Sequence, residues 1–172
     1  MRLLALSTAL VLDLVLTAGA EPHARPRDFR CLLRGTKPAG KSFYVFNRSR
    51  VKLRKAVAMS ETGEIPPEGY PVGTILQVLP FEAMIKRRPG FNPEGDDWEF
   101  VRLEPTPRGR TEILADGKGE VANALGSCQS CHQLLAHDHD LVCGFVIGAA
   151  GLGLTEEQLS EIQADDPRCK KK

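Results

Sequence analysis

The chain has 172 residues, of which 42% are hydrophobic and 26% are charged, and its formal net charge at pH 7 is +1. This length is typical of one domain, and the sequence contains no internal repeat or low-complexity domain. A net charge so close to zero gives no reason to propose nucleic acid or an anionic surface as a partner.

Residues 1–20 have the pattern of a secretory signal peptide. A charged start, Met1-Arg2, precedes an apolar run that ends at Leu16, and Ala18-Gly19-Ala20 offers a small-residue cleavage site. Asp13 interrupts the apolar run, whereas a retained membrane anchor, the alternative, needs about 20 uninterrupted apolar residues. We therefore expect a cleaved signal peptide and a periplasmic protein.

The first elements of the remaining chain are short. Residues 43–46 are either a strand or the lead-in to a helix. Residues 48–59 predict a helix with Asn47 as a candidate cap. The apolar pattern of this helix puts three residues on one side, namely Val51, Lys55 and Ala58.

Prolines interrupt the middle of the chain. Eight of them lie between positions 66 and 110, which leaves no room for long helices. Three runs between the prolines have the composition of strands, namely residues 74–79, 98–103 and 111–114. The sequence therefore predicts an α+β fold, with a small antiparallel β-sheet and flanking helices.

The last helix is predicted to start at Thr155, because Thr155 and Gln158 have the spacing of a capping box. Leu159 and Ile162 give this helix an apolar edge. The segment before it, residues 144–153, is apolar and rich in glycine and alanine, and its pattern does not predict a conformation.

The five residues Cys128-Gln129-Ser130-Cys131-His132 spell C-x-x-C-H, the attachment sequence for a c-type haem. Two thiols three positions apart on a helical turn can form thioether bonds to the two vinyl groups of one porphyrin. The next side chain, an imidazole, then lies under the iron as its proximal ligand. A chain of this composition contains about 0.003 such matches by chance. We expect a C-terminal haem-binding helix with one covalent haem c on Cys128, Cys131 and His132, and His132 as metal ligand.

Two other interpretations of the cysteine pair are weaker. A structural zinc site needs four ligands, and Cys143 with His137 or His139 would complete one only in an uncommon arrangement. A thioredoxin-like pair needs a preceding buried strand, a pattern that residues 120–126 lack. We expect both His137 and His139 to be surface residues.

Three cysteines remain after haem attachment. An oxidising compartment favours a disulfide. We expect Cys31 to pair with Cys143, which leaves Cys169 unpaired in a polar tail.

The position of the motif, 40 residues from the C-terminal end, excludes two common classes of cytochrome. Small electron carriers place the motif near the N-terminus and use a downstream methionine as sixth ligand, but Met1, Met59 and Met84 all precede it here. Four-helix cytochromes need several long helices, which the proline-rich middle cannot supply. We therefore expect that no methionine ligates the iron.

A C-terminal haem motif on a sheet-rich exported domain resembles the cytochrome P-460 superfamily, which includes the sheet-containing cytochromes c′-beta. The resemblance covers a core of about residues 43–143 in a single domain, residues 21–172. It rests on short motifs in order around the haem motif, namely Tyr44-Val45-Phe46-Asn47, Tyr70-Pro71-Val72-Gly73-Thr74, Met84-Ile85-Lys86, Asp97-Trp98-Glu99-Phe100 and Asp140-Leu141-Val142-Cys143.

The resemblance implies a homodimer with one haem c, His132 as proximal ligand, and an open or apolar-capped opposite face of the iron. Members called cytochrome P-460 oxidise hydroxylamine and carry a lysine crosslinked to the porphyrin. The c′-beta members lack that bond and bind small gases such as nitric oxide. Lys55 is the first candidate for such a crosslink and Lys52 and Lys86 are its rivals, although a surface role is favoured for each.

Other residues are candidates for the iron's surroundings. Phe43, Phe46 and Phe81 are candidates to wall the distal pocket, and core packing explains them equally well. Trp98 is expected in the core. Glu99 and Asp97 are candidate proton relays, but charged residues beside a strand usually face water.

Two function classes remain open. One is an oxidoreductase acting on hydroxylamine or a related nitrogen compound, with Glu99 and Lys55 as weak catalytic candidates. The other is a protein that binds nitric oxide or passes single electrons to a redox partner protein. We favour gas binding at a five-coordinate haem without the lysine bond, because the sequence offers no clear sixth ligand.

Overall fold

The computed structural model describes residues 23–169. The predicted signal peptide, residues 1–20, lies outside the described residues. No helix within 23–169 has both the length and the apolar character that a membrane span requires.

One antiparallel sheet of five strands, ordered as in the sequence, forms the centre of the fold. The strands are β1 (Tyr44–Phe46), β2 (Ile75–Gln77), β3 (Glu82–Lys86), β4 (Trp98–Pro105) and β5 (Thr111–Gly117). The prediction of an α+β fold is confirmed, since β2, β4 and β5 lie where strand composition indicated. Residues 43–46, for which a strand and the lead-in to a helix were both open, contain β1. Strand β3 was not predicted.

The sheet separates two apolar layers, because side chains alternate between its faces. On one face, Leu76, Met84 and Phe100 lie in register across β2, β3 and β4 and belong to the main core cluster. On the other face, Ile85 and Val101 belong to a second cluster, which includes Phe29 of the N-terminal segment.

Helix α1 (Arg50–Thr62) occurs close to its predicted position, but two details were wrong. The helix is capped by the Ser49 side chain rather than by Asn47. Its buried residues are Ala56, Met59 and Ser60, whereas Val51 on the predicted apolar side is 68% exposed. Ser60 can be buried because its hydroxyl donates to the Ala56 carbonyl oxygen and contacts the Tyr70 hydroxyl at 2.9 Å.

The C-terminal third contains a two-stranded ribbon, β6 (Ala122–Asn123) and β7 (Gly126–Ser127), and two helices, α2 (Cys128–Ala136) and α3 (Glu156–Ala164). The capping box of α3 on Thr155 and Gln158 is confirmed, and Leu159 is 1% exposed. The glycine-rich segment between α2 and α3 contains two short 3-10 turns, Cys143–Phe145 and Ala150–Leu152.

A disulfide joins Cys31 to Cys169, so the expected pairing of Cys31 with Cys143 was wrong. The segment around Asp166 lies beside the segment around Cys31. There the Leu32 amide donates to the buried carboxylate of Asp166 at 2.8 Å. Arg168 also binds this carboxylate. Cys143 carries a free thiol.

Candidate functional site

Helix α2 begins directly at the C-x-x-C-H motif. The Ser127 side chain caps the helix by accepting a hydrogen bond from the Ser130 amide. The Cys128 amide donates to the Val121 carbonyl oxygen at 2.9 Å, which ties the first residue of the helix to the residue just before β6. Cys128 and Cys131 therefore lie one helical turn apart, with free and partly buried thiols.

His132 is held by a single hydrogen bond to the backbone. Its Nδ1 lies 2.6 Å from the Leu141 carbonyl oxygen, which can only accept, so Nδ1 carries the proton. The lone pair of the imidazole is therefore on Nε2, the arrangement found in metal-ligating histidines. Burial lowers the pKa of His132 and favours the neutral ring that a metal requires.

The Leu141 carbonyl belongs to a sharp backbone corner. Asp140 and Leu141 both have positive φ, 49° and 58°, a conformation that is uncommon for residues other than glycine. Such a conformation persists only where surrounding contacts fix it. Leu141 is 1% exposed, and its amide donates to the Ala136 carbonyl oxygen at the end of α2.

Asp140 supplies the contacts that fix this corner. Its carboxylate binds the Lys86 ammonium group at 2.5 Å and accepts from the Tyr70 amide at 2.8 Å. Its carbonyl oxygen accepts from Trp98 Nε1 at 2.8 Å. The Lys86 ammonium group also donates to the Asp96 carbonyl oxygen and lies 5.1 Å from the centre of the Trp98 ring. The sheet thus holds the loop that orients His132.

A mostly apolar cleft, partly open to solvent, lies between α2 and the sheet. The edge of the Phe100 ring packs against the His132 ring with 5.3 Å between centroids. A Cβ at Gly144 would lie 2.4 Å from the Phe43 ring, so only glycine fits there beside Phe43. The apolar residues that line the cleft include Phe43, Leu76, Met84, Phe100, Leu135 and Ile147.

Glu82 is a polar residue of the cleft wall that sequence reasoning missed. Burial raises the pKa of the Cys128 thiol, and the negative charge of Glu82 raises it further. The Asn123 amide donates to Glu82 at 2.8 Å and fixes its orientation. Recognition of β3 would have identified this residue, because Glu82 and Met84 share one face of that strand.

The candidate lysines and the acid Glu99 do not line the cleft. Lys55 forms an exposed ion pair with Glu68 at 3.0 Å, and Lys52 donates to the Val72 carbonyl oxygen. Lys86 is buried in its pair with Asp140. Glu99 is fully buried, pairs with Arg87 and accepts from the Ala24 amide. Burial raises the pKa of Glu99, and the nearby guanidinium group opposes this.

The predicted aromatic and histidine positions have mixed outcomes. Trp98 is in the core, as predicted, and is 0% exposed. Of the three phenylalanine candidates, Phe43 lines the cleft, whereas Phe46 and Phe81 do not. His137 is exposed as predicted, but His139 is partly buried and its ring lies 5.3 Å from that of Phe145.

The cysteines do not form a zinc site in this conformation. Within residues 23–169, the only set of three acidic, histidine or cysteine side chains with ligand atoms all within 4.8 Å of one another is His23, Glu99 and Asp116. A tetrahedral zinc site needs four ligands at about 2.0–2.3 Å from the metal. Cys143 lines the cleft but does not complete such a set.

Comparison of the chain with protein-family models, with curated proteins and with solved structures finds no match. The resemblance to cytochrome P-460 therefore rests on the motifs alone.

Two free thiols on one helical turn, a neutral imidazole with its Nε2 lone pair available, and an apolar cleft beside them fit a haem c. Cys128 and Cys131 are the residues that could attach the porphyrin, and His132 is the residue that could bind iron.

Proposed function

We propose that the protein is an exported c-type haem protein that binds a small gas such as nitric oxide. Cys128 and Cys131 attach the porphyrin, and His132 is the proximal ligand. The observation that carries the proposal is the hydrogen bond from His132 Nδ1 to the Leu141 carbonyl oxygen, because it leaves Nε2 free for a metal in a ring already oriented by the backbone.

The bound haem would supply an iron with a coordination position open to small ligands. The chain's own residues make that position selective for small uncharged molecules. Phe43 and Ile147 contribute apolar surface to the cleft, which disfavours charged and strongly polar molecules.

The disulfide supports the proposed export. Disulfides form and persist in oxidising compartments such as the periplasm, which is also where haem is attached to this motif. The pair Cys31–Cys169 involves neither motif cysteine and leaves the thiols of Cys128 and Cys131 free for haem attachment.

Extraction with acid acetone tests covalent attachment in the mature protein. The haem should remain with the polypeptide, and Cys128→Ala or Cys131→Ala should leave one thioether bond or lose the haem. Ser130→Ala, which keeps both thiols and the imidazole, is the matched control. Haem that extracts freely from the native sequence would refute covalent attachment.

A second test asks whether a methionine is the sixth iron ligand. Met84 is the methionine to replace, because it lines the cleft although it precedes the motif. We expect Met84→Leu to leave the absorption spectrum of the oxidised protein unchanged, with Met59→Leu, a core position that does not line the cleft, as control. Loss of a methionine-to-iron charge-transfer band in Met84→Leu would instead indicate an electron carrier.

The alternative activity, oxidation of hydroxylamine, needs a proton acceptor near the substrate. Glu82 is the carboxylate in the cleft wall and replaces Glu99 as the candidate for this role. Turnover of hydroxylamine by the native protein that is lost in Glu82→Gln and kept in Glu99→Gln would favour the enzyme. A porphyrin crosslinked to a peptide containing Lys52, Lys55 or Lys86, detected by mass spectrometry, would contradict the proposed open site.

A further inference from the structure

A basic groove of about 730 Å³ lies beside β1 and the N-terminal segment, and none of the described residues lines both this groove and the cleft. Its exposed and partly exposed cationic residues are Arg25, Arg27, Arg30, Arg34, Arg48, Lys52 and Arg87, the last of which is paired with Glu99. Within residues 23–169, Asp28 is the single acidic residue that lines it.

The positive charge of the groove is poorly compensated. Asp28 pairs with Arg48 at 2.6 Å and with Arg25 at 3.5 Å. In the part of the chain that the structure describes, Arg27, Arg30 and Arg34 form no ion pair. These same three side chains also line an adjoining depression that contains Arg110, so the basic surface extends beyond the groove.

The net charge of the whole chain hides this concentration. Since that net charge is only +1, the rest of the molecule must carry a net negative charge. Positive charges crowded without partners repel one another and cost folding stability, so a negatively charged partner would relieve the repulsion on binding.

The groove is built on a fixed segment. Phe29 is 4% exposed and its carbonyl oxygen accepts from the Thr111 hydroxyl at 3.0 Å. Cys31 is bonded to Cys169. Arg30 lies between these anchors, and Arg27 and Arg34 lie within three residues of them, so the three side chains are displayed without the entropy cost of ordering a loose loop.

The floor of the groove is partly apolar, since Phe46, Leu53, Val72 and Ile75 line it and are partly exposed. We propose that this groove binds an acidic segment of a partner protein. Aspartate and glutamate carboxylates match the planar fork of arginine, and apolar side chains of the same segment would contact the floor. A phosphate polymer has no apolar groups for this floor, a bilayer surface is too flat to enter a groove, and a second copy of this surface would bring like charges together.

Fluorescence anisotropy with a labelled peptide that alternates Glu with Leu tests the proposal on the mature protein. We expect binding that weakens as salt rises from about 50 to about 200 mM. The triple variant Arg27→Gln, Arg30→Gln and Arg34→Gln should weaken binding about tenfold or more, without lowering the melting temperature, because it removes unpaired charges.

The matched control variant is Arg50→Gln, Arg54→Gln and Arg108→Gln, which removes the same charge from exposed positions outside the groove. It should change the affinity by less than about twofold. Equal losses in both triple variants would overturn the proposal, as would equal binding of a peptide that alternates Glu with Ser. Tighter binding of polyphosphate or of phosphatidylglycerol vesicles, or self-association through this surface, would also overturn it.

Hydrogen exchange on the native sequence gives a second measurement that needs no variant. Bound peptide should slow amide exchange in residues 25–36 and in β1, and it should leave α2 unchanged. Protection confined to α2 or to the cleft would contradict the proposed surface.

Discussion

Burial controls how single side chains ionise in this protein. Cys143 is the clearest case, because burial, with a smaller contribution from the neighbouring Cys131, raises the pKa of its thiol to about 12. Only the thiolate reacts with alkylating reagents, so the native thiol should be almost inert at neutral pH.

A thiol count follows for the mature haem-bound protein. If Cys128 and Cys131 carry haem and Cys31–Cys169 is oxidised, Cys143 is the single free thiol. Iodoacetamide at pH 8 should modify no cysteine in the native state and one cysteine after unfolding in urea without reductant. Modification of three cysteines after unfolding would contradict haem attachment, and Cys143→Ser should abolish the signal.

Tyr70 gives a prediction about stability at high pH. Burial raises its pKa from an ordinary value of 10 to about 12, and its hydroxyl contacts Ser60. The pKa of Tyr70 is higher in the folded protein than in the unfolded chain, so the folded state stays protonated to a higher pH. The stability that this proton contributes is fully present below pH 10 and is lost as the pH rises toward 12. A shift of this size corresponds to at most about 2–3 kcal/mol.

Urea unfolding between pH 9 and pH 11 measures this effect. The free energy of unfolding should fall less steeply with pH in Tyr70→Phe than in the native sequence. Tyr44→Phe, at a less buried hydroxyl whose pKa burial also raises, is the comparison and should flatten the curve less. Identical slopes for all three proteins would show that Tyr70 does not titrate in this range.

At the scale of elements, the contact that β3 and β4 make with the loop after α2 is the one that fixes the position of His132. Breaking a buried ion pair by removing one partner costs about 3–5 kcal/mol. Asp140→Asn leaves the Lys86 charge buried without its carboxylate, so we expect a loss of this order in urea unfolding. We also expect a changed iron–histidine stretching frequency in the resonance Raman spectrum of the reduced protein, because the corner that orients His132 is loosened.

The exposed pair of Lys55 and Glu68 is a matched control for this experiment. Removal of its carboxylate by Glu68→Gln should cost less than about 1 kcal/mol and leave the Raman frequency unchanged. An Asp140→Asn variant that is destabilised while the iron–histidine frequency stays fixed would show that the pair is structural and does not position His132.

The sequence predicted elements where the local pattern is strong. The capping box at Thr155 is local and identified α3, and the strand composition around Trp98 identified β4. Strand β3 was missed because its five residues begin with Glu82 and end with Lys86. With a charged residue at each end, so short a segment does not show the pattern of a buried strand. The predicted buried face of α1 was wrong because the observed face includes Ser60, a polar residue whose hydroxyl is hydrogen-bonded to Tyr70.

At the scale of the whole molecule, the disulfide between positions 31 and 169 closes a loop with a sequence separation of 138. Cross-linking a chain of this length restricts the unfolded state, and the loss of such a bond typically costs about 2–5 kcal/mol. We expect Cys31→Ser with Cys169→Ser to lower the free energy of unfolding by this amount, with Cys143→Ser as the control. A double variant as stable as the native sequence would contradict this account.

Long-range pairings of this kind could not be predicted from spacing. The choice between Cys143 and Cys169 depends on where the chain turns after α2, and that depends on the Asp140 corner and on the Asp166 carboxylate. The C-x-x-C-H motif could be recognised in the sequence because its residues have a fixed local spacing, whereas the cleft position of Glu82 and the basic groove arise only when distant segments meet.

The disulfide between Cys31 and Cys169 also determines what a protease releases when it cuts the chain once. A single cut anywhere between positions 31 and 169 opens the backbone but leaves both pieces joined by the Cys31–Cys169 bond. The sheet and α2 would then remain in one covalent molecule, and the pieces would separate only after a second cut or after reduction. A nicked protein of unchanged mass, apart from the water added by hydrolysis, is therefore the expected first product of limited proteolysis.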